Sequence, residues 1–143
     1  MQHNFQSVFV VDDDRFHLEI MKQILSEAGI NNITCFESGV DCLDRIHQKP
    51  DVIFLDHQMD IYTGQVTLRK IKRYNPNTFV VMVSAQENID TAVETLKHGA
   101  FDYIRKNKNL ESNIKNVLVK ITEIRELLKE RKPSLLKSIF KFI

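Results

Sequence analysis

Five short apolar runs recur along the chain, and each is followed by a stretch with helical periodicity. The runs lie at residues 7–11, 32–36, 51–56, 78–84 and 101–105. The first, third and fourth are almost continuously apolar, which is typical of central parallel strands covered on both faces. The pattern therefore predicts five β-strands, three of them in the middle of a sheet.

The segments that follow these strands carry apolar residues at helical spacing. They predict helices at residues 16–28, from just after Ser38 to Pro50, at 65–74, at 89–98 and from 110 to about 131. Gly29 and Gly99 follow two of these helices and are typical residues just beyond a helix C-terminus. Pro50 and Pro76 mark the ends of two others.

A strand that alternates with a helix five times predicts the α/β class. Such a chain builds a parallel sheet with right-handed crossovers and helices on both faces. At 143 residues the chain is long enough for one ordinary domain. We expect a flavodoxin-like five-stranded parallel sheet, whose order, 2-1-3-4-5, is taken over from sheets of that kind rather than deduced from the pattern.

Acidic residues stand at the ends of two strands that are neighbours in this order. Asp12, Asp13 and Asp14 follow strand 1, and Asp56 ends strand 3. Neighbouring strands lie only about 4.8 Å apart, so these carboxylates would crowd one small hollow and raise one another's pKa. A hard divalent cation removes the conflict, and Mg²⁺ characteristically takes one or two protein carboxylates together with water and phosphate oxygens.

The next two strand ends carry the opposite chemistry. Ser84 closes strand 4 with a hydroxyl, and Lys106 follows strand 5 with an ammonium. Carboxylates, a divalent cation, a hydroxyl and an ammonium at one point are the parts of a phosphoryl-transfer site, in which a carboxylate is the nucleophile.

Four motifs make the chain resemble the receiver domain of bacterial two-component response regulators, over roughly residues 7–121. They are VVDDD, DVIFLDHQM, VVMVSA and TAVETLKHGAFDYIRK. The resemblance implies a phospho-accepting domain that takes a phosphoryl group from a histidine kinase or a histidine phosphotransfer protein in a Mg²⁺-dependent reaction. It implies catalysis of the domain's own phosphorylation and slow dephosphorylation only, so we do not expect an enzyme with a separate substrate.

The resemblance also implies a role for each site residue. Asp56 would be the phosphoacceptor, and Ser84 and Lys106 would assist it. The metal would be held by Asp12, Asp13, Asp56 and the backbone carbonyl of Gln58. Ser84 and Tyr103 would form the switch that changes the face of helix 4, strand 5 and helix 5, to which an output protein would bind.

Three positions depart from the family pattern. Asp60 and Asn107 stand where the family usually has prolines, and Lys108 replaces an aromatic residue. The Lys106–Asn107 peptide, cis in the family, is therefore either trans or strained here, since a cis bond before a non-proline residue costs about 2.5–4 kcal/mol. None of these changes removes a reacting group.

Several nearby residues have simpler interpretations. Asp14 is expected to cap the first helix, and Thr63 and Gly64 to form the turn before the third. His57 is interpreted as an ordinary loop histidine. Cys35 and Cys42 fall in apolar surroundings and are expected to be buried free thiols, in keeping with a reducing cytoplasm.

Two other functions stay open. A haloacid dehalogenase-type phosphatase also begins with a strand that ends in Asp-x-Asp, as Asp12 and Asp14 do, but it would leave Asp56 unexplained and expects Thr or Val where Phe16 stands. A pseudo-receiver would keep the fold for protein binding without phosphorylation.

The end of the chain differs in charge from the rest. A formal charge of +1 excludes a global field that draws the whole chain to nucleic acid, yet residues 124–143 hold six basic and two acidic residues. We divide the chain into a receiver domain, 1–123, and an extension of helix 5 with a basic amphipathic tail, 124–143. Helix 5 or the tail would support a homodimer, or the tail would dock onto a groove of a partner protein or contact an anionic membrane surface. We expect a cytoplasmic protein that does not bind DNA directly.

Overall fold

The computed structural model describes residues 3–59 and 62–140, and their side chains up to residue 130. Its elements alternate as the pattern predicts. The strands are β1 (Val8–Val11), β2 (Ile33–Phe36), β3 (Val52–Asp56), β4 (Phe79–Ser84) and β5 (Asp102–Arg105). The helices are α1 (Arg15–Glu27), α2 (Gly39–Asp44), α3 (Gly64–Tyr74), α4 (Ile89–Lys97) and α5 (Leu110–Phe140), and a short 3₁₀ turn, Ile46–Gln48, follows α2.

The five strands form one parallel sheet in the order β2-β1-β3-β4-β5, which confirms the expected topology. The reversal of strand order lies between β1 and β3, where Val11 pairs with Leu55. The residues that follow these two therefore lie side by side at the carboxyl edge of the sheet, where open α/β sheets bind their ligands.

Side chains of the central strands alternate between two cores, as the pleat requires. Val8 and Val10 face one core, with α1 and α5, whereas Phe9 and Val11 face the other, with α2 and α3. The same alternation along β3 and β4 explains why these strands are apolar throughout. Helix α4 is different, because Thr95 is its buried residue while Ile89, Val93 and Leu96 are exposed.

Each of the first four helices begins with a polar side chain that caps it. Asp14 accepts a hydrogen bond from the backbone N–H of Phe16, which confirms its predicted role. The other three caps are Ser38, Thr63 and Asn88. A side-chain oxygen satisfies an N–H that has no partner within the helix, so these residues set where each helix starts.

The structure corrects two predictions about local structure. Cys42 is buried, but Cys35 is exposed and the expectation of a buried thiol there is wrong, because β2 lies at the edge of the sheet. Helix α5 continues through Pro133 to Phe140, past the predicted end near residue 131. A proline can occupy a helix at the cost of one backbone hydrogen bond.

Three further points bear on the sequence analysis. No peptide bond among the described residues is cis, so the Lys106–Asn107 bond is trans. Within the described part of the chain, no helix combines the length and apolar character that crossing a bilayer demands. Asp60, the side chains of the basic tail and the last residues of the chain lie outside the described part, and the division after residue 123 stays a prediction.

Two leucines of α5 allow a test of where the core ends along this helix. Leu118 is fully buried, whereas Leu127 is 60% exposed. Leu118→Ala should lower the free energy of unfolding by about 2–5 kcal/mol, because it leaves a cavity, and Leu127→Ala should change it by less than about 0.5 kcal/mol. Urea denaturation monitored by circular dichroism measures both, and equal losses would contradict the described core.

The two cysteines should differ in reactivity. Burial raises the pKa of Cys42 to about 12, and its sulfur has no access to solvent, whereas Cys35 is exposed. N-ethylmaleimide should therefore label one thiol in the folded protein and both in guanidinium chloride. Cys35→Ser should remove the fast-labelled thiol and Cys42→Ser should not, as read by intact mass.

Candidate phosphoryl-transfer site

Three carboxylates meet at the carboxyl edge of the sheet. Asp12 and Asp13 follow β1, and Asp56 is the last residue of β3. Asp12 and Asp56 are 2% and 5% exposed, whereas Asp13 is exposed to solvent. One oxygen from each carboxylate lies within 4.8 Å of the others. The β1–β3 pairing thus produces the crowding that the sequence predicts.

The carboxylate of Asp12 is held from three sides. Lys106 Nζ donates to its Oδ2 at 2.8 Å, and the backbone N–H of Asp14 donates to its Oδ1 at 2.9 Å. His17 Nδ1 lies 2.9 Å from Oδ2, off the direction of a hydrogen bond. Burial by itself would raise the pKa of Asp12, but His17, Lys106 and the Asp14 N–H outweigh it and hold the pKa at about 2.

For Asp56, the effects that raise the pKa outweigh those that lower it. Burial and the neighbouring charge of Asp12 raise its pKa to about 6, despite Lys106 Nζ at 3.3 Å and the backbone N–H of Gln58. Burial works against the charge of Lys106 too, but the carboxylates of Asp12 and Asp56 raise its pKa. One ammonium therefore serves two buried carboxylates and leaves an excess of negative charge.

These residues fit a hard divalent cation. Three aspartate oxygens within 4.8 Å offer the oxygen donors that Mg²⁺ prefers, and a second positive charge would offset the repulsion that raises the pKa of Asp56. The acids lie at the rim of a hollow of about 600 Å³, which leaves space for a phosphoryl group. Gln58, Gln86 and Lys106 also line this hollow.

The predicted switch residues lie just behind the hollow. Ser84 ends β4 and is fully buried, and its Oγ accepts a hydrogen bond from the backbone N–H of Gln86 at 3.1 Å. Tyr103 is half-buried on β5, and its hydroxyl is buried without a hydrogen-bond partner. The switch roles of both residues stay predictions.

Two histidines of the site take positions that sequence reasoning missed. His57 packs edge-on against Tyr103, with ring centroids 6.5 Å apart, and both of its ring nitrogens are buried without a hydrogen-bond partner. His17 is 9% exposed beside Asp12. Its place on the buried stripe of α1, four residues before Met21, was the available signal. The contact between His57 and Tyr103 joins residues far apart in the chain and left no such signal.

Gly64 is required by the way α3 approaches the site. A Cβ at this position would lie 2.3 Å from the backbone oxygen of Asp56 and 2.7 Å from His57 Cα, closer than atoms can approach. The backbone N–H of Gly64 also donates to the carbonyl of His57 at 3.0 Å. The predicted turn at Thr63 and Gly64 therefore fixes the loop that carries the phosphoacceptor candidate.

Comparison with known proteins agrees with this geometry. The family model described as the response regulator receiver domain matches residues 8–118, well over half of the chain. The chain belongs to the response regulator receiver domain family. The receiver spans the strands and the first part of α5, and all the residues that build the acidic hollow lie within it.

The curated relatives are longer proteins. The receiver is 34% identical over 122 residues to the transcriptional regulatory protein ZraR of Escherichia coli O157:H7, covering 82% of this chain and 27% of that protein. It is 33% identical over 108 residues to the DNA-binding transcriptional regulator NtrC of Escherichia coli K12, covering 75% and 23%. The chain thus spans about a quarter of the length of these relatives.

Solved structures share the whole fold. A response regulator receiver domain protein from Clostridium thermocellum superposes with a TM-score of 0.78 at 26% identity, covering 85% of this chain and 98% of that one. The receiver domain of NtrX from Brucella abortus gives 0.75 at 30% identity, covering 82% and 98%.

The raised pKa of Asp56 leads to a test of the site's electrostatics. A carboxyl whose folded pKa lies above its ordinary value of 3.8 favours folding at low pH and loses that contribution as the pH rises through about 6. At higher pH without divalent cations, Asp56→Asn should therefore be more stable than wild type by about 1–2 kcal/mol, and the difference should vanish in acid. Thermal unfolding in EDTA across pH measures it.

Mg²⁺ should reverse that order of stability. An ion that binds the folded state alone raises the unfolding temperature, so Mg²⁺ should stabilise wild type strongly and Asp56→Asn weakly. Asp14→Asn is the matched control, since asparagine also caps helices and Asp14 stands outside the cluster of three acids. Equal stabilisation of wild type and Asp56→Asn would place the ion elsewhere.

Proposed function

We propose that this receiver accepts a phosphoryl group on Asp56 from the phosphohistidine of a histidine kinase or a histidine phosphotransfer protein, in a Mg²⁺-dependent reaction. The observation that carries the proposal is the meeting of Asp12, Asp13 and Asp56 within 4.8 Å, with Lys106 Nζ 3.3 Å from Asp56. Membership of the receiver family supports it.

Asp56 supplies the nucleophile in this reaction. One of its carboxylate oxygens attacks the phosphorus, the new P–O bond forms as the P–N bond to the donor imidazole breaks, and the departing imidazole takes up a proton. Lys106 offsets negative charge on the phosphoryl oxygens. Bound Mg²⁺, held by Asp12, Asp13, Asp56 and the Gln58 carbonyl, would neutralise charge on the same oxygens.

Phosphorylation would act as a switch through Ser84 and Tyr103. The Ser84 hydroxyl would exchange its hydrogen bond with the Gln86 N–H for one with the phosphoryl group, and Tyr103 would change position with it. The buried hydroxyl of Tyr103 has no hydrogen-bond partner, so a movement of this ring would break no hydrogen bond of its side chain. The face of α4, β5 and α5 would then change its affinity for an output protein.

The phosphatase alternative conflicts with the environment of Asp12. That reaction needs Asp12 as the nucleophile, yet Lys106 Nζ lies closer to Asp12, at 2.8 Å, than to Asp56, at 3.3 Å, so Asp12 is the more tightly held of the two carboxylates. Asp14, the second acid of the Asp-x-Asp spacing, caps α1. The receiver interpretation gives Asp56 a role, which the phosphatase does not.

The remaining parts of the proposal concern the context of the domain. The receiver would work in the cytoplasm and catalyse its own phosphorylation and slow dephosphorylation, without a separate substrate and without direct DNA binding. Helix α5 or the tail would support a homodimer, or the tail would contact an anionic membrane surface. The exposed Leu127 on α5 supports the first of these.

Acetyl phosphate offers a direct test of the phosphoacceptor. With Mg²⁺, wild type should gain the mass of one phosphoryl group in a form that alkali removes, because an acyl phosphate hydrolyses readily in base. Asp56→Asn should gain none, and Asp14→Asn should be labelled like wild type. Labelling of Asp56→Asn, or labelling without Mg²⁺, would contradict the proposal, and turnover of a phosphate monoester abolished by Asp12→Asn would favour the phosphatase.

A further inference from the structure

A second hollow lies at the amino-terminal edge of the sheet, opposite the acidic site. It has a volume of about 850 Å³. Its walls come from residues at or just before the starts of β3, β4 and β5, from the end of α3 and from the part of α5 beyond the buried core. We call it the basal groove. Residues at strand starts cannot reach the carboxyl edge, so the basal groove takes no part in the chemistry at Asp56.

The floor of the basal groove is apolar. Phe79 and Phe101 pack edge to face with ring centroids 5.4 Å apart, and both are only partly buried. Ile124 and Leu128 continue the apolar surface along α5, and Leu128 is 53% exposed. Continuous exposed apolar surface of this kind marks interaction sites on soluble proteins.

The rim of the basal groove is basic. The charged residues that line the groove are one carboxylate, Asp51, and four cations, Lys49, Lys72, Arg125 and Lys129. Arg125 already binds Asp51, with Nη2 3.4 Å from Oδ1, so the local charge stays strongly positive. A ligand that covers this groove must therefore carry negative charge around an apolar centre.

Two of the cations are held in place. Lys72 Nζ donates to the carbonyls of Pro76 and Thr78 at 2.7 and 2.9 Å. Arg125 donates to the Asn4 carbonyl at 3.2 Å, and its guanidinium lies 5.0 Å from the centre of the Phe5 ring. Preorganised groups lose little entropy on binding, so these two cations would meet an anionic ligand without first being ordered.

We propose that the basal groove docks an acidic amphipathic helix of a partner protein. Such a helix places apolar residues at i, i+3, i+4 and i+7 into an apolar groove and turns its polar face outward. Carboxylates beside the apolar stripe would then meet the basic rim. The phosphates of a nucleic acid would pair with the cations of the rim, but a nucleic acid would leave the apolar Ile124 and Leu128 uncovered.

The chain's own tail does not suit the basal groove. Residues 131–143 contain four basic residues and no acidic one, so the tail and the rim carry charge of the same sign. A second copy is the stronger rival, because α4 presents Ile89 and Val93 beside Asp90 and Glu94 and its apolar residues are exposed. The experiment has to separate that rival from a partner protein.

A designed peptide is the probe for the basal groove. It carries leucine and phenylalanine at the four apolar positions and glutamate elsewhere, and a matched peptide replaces each glutamate by lysine. Titrated into the full ¹⁵N-labelled chain, the acidic peptide should shift the amide signals of Phe79, Phe101 and Leu128 in a saturable way that weakens with salt. The basic peptide should shift none of them.

Surface substitutions should separate the basal groove from the rest of the molecule. Leu128→Ala and Lys129→Glu should each weaken the acidic peptide about tenfold, without loss of stability, because both side chains are exposed. The neighbouring Leu127→Ala and the distant Lys22→Glu should change the affinity by less than about twofold. Asp56→Asn should bind the peptide like wild type, so the test stands whether or not Asp56 is phosphorylated.

Four results would overturn the inference. The first two are equal binding of both peptides and amide shifts centred on the acidic hollow. The third is self-association, measured by sedimentation, that Leu128→Ala and Lys129→Glu abolish. The fourth is binding of phosphatidylserine vesicles or nucleic acid that requires the same two residues. Self-association of that kind would make a second copy the occupant, and the last result would make it a membrane or a nucleic acid.

Discussion

The structure depends on one electrostatic constraint, the burial of Asp12 and Asp56 side by side with a single ammonium between them. Lys106 Nζ lies 2.8 Å from Asp12 and 3.3 Å from Asp56. Its charge lowers the electrostatic cost of burying the two carboxylates but offsets only one of their two negative charges. The two carboxylates differ in acidity, since close partners hold the pKa of Asp12 at about 2, while burial and the charge of Asp12 raise the pKa of Asp56 to about 6. A divalent cation would relieve this excess of negative charge, which the three carboxylates share.

The two cores, one on each face of the sheet, keep Asp12 and Asp56 side by side. Each central strand is buried on both faces, so the strand ends cannot relax away from one another without opening both cores. Gly64 lets α3 approach the Asp56 backbone to a distance that no other residue would allow. The stability of the folded sheet thus offsets the electrostatic cost of the acidic hollow, as it commonly does at functional sites.

The two edges of the sheet differ in charge and in chemistry. The carboxyl edge gathers acids around a polar hollow, whereas the amino edge forms a groove with an apolar floor and a basic rim. Helix α5 connects the two, because its first turns pack beneath the sheet near β5 and its later turns, from Ile124 to Leu128, build a wall of the basal groove.

The sequence by itself determined the elements and the sheet class, and the gathering of acids followed once the strand order of flavodoxin-like sheets was taken over. Apolar runs of strand length, capping residues such as Asp14 and Thr63, and the rule that parallel strands end at one edge are all local or topological properties. Only the tertiary structure decided which side chains touch. The edge position of β2 exposes Cys35, and the fold brings His57 against Tyr103 and His17 against Asp12. The basal groove joins residues of α3, β4 and α5 with residues of the loops before β3 and β5. Contacts and exposure depend on packing between segments distant in the chain, which no periodicity along it encodes.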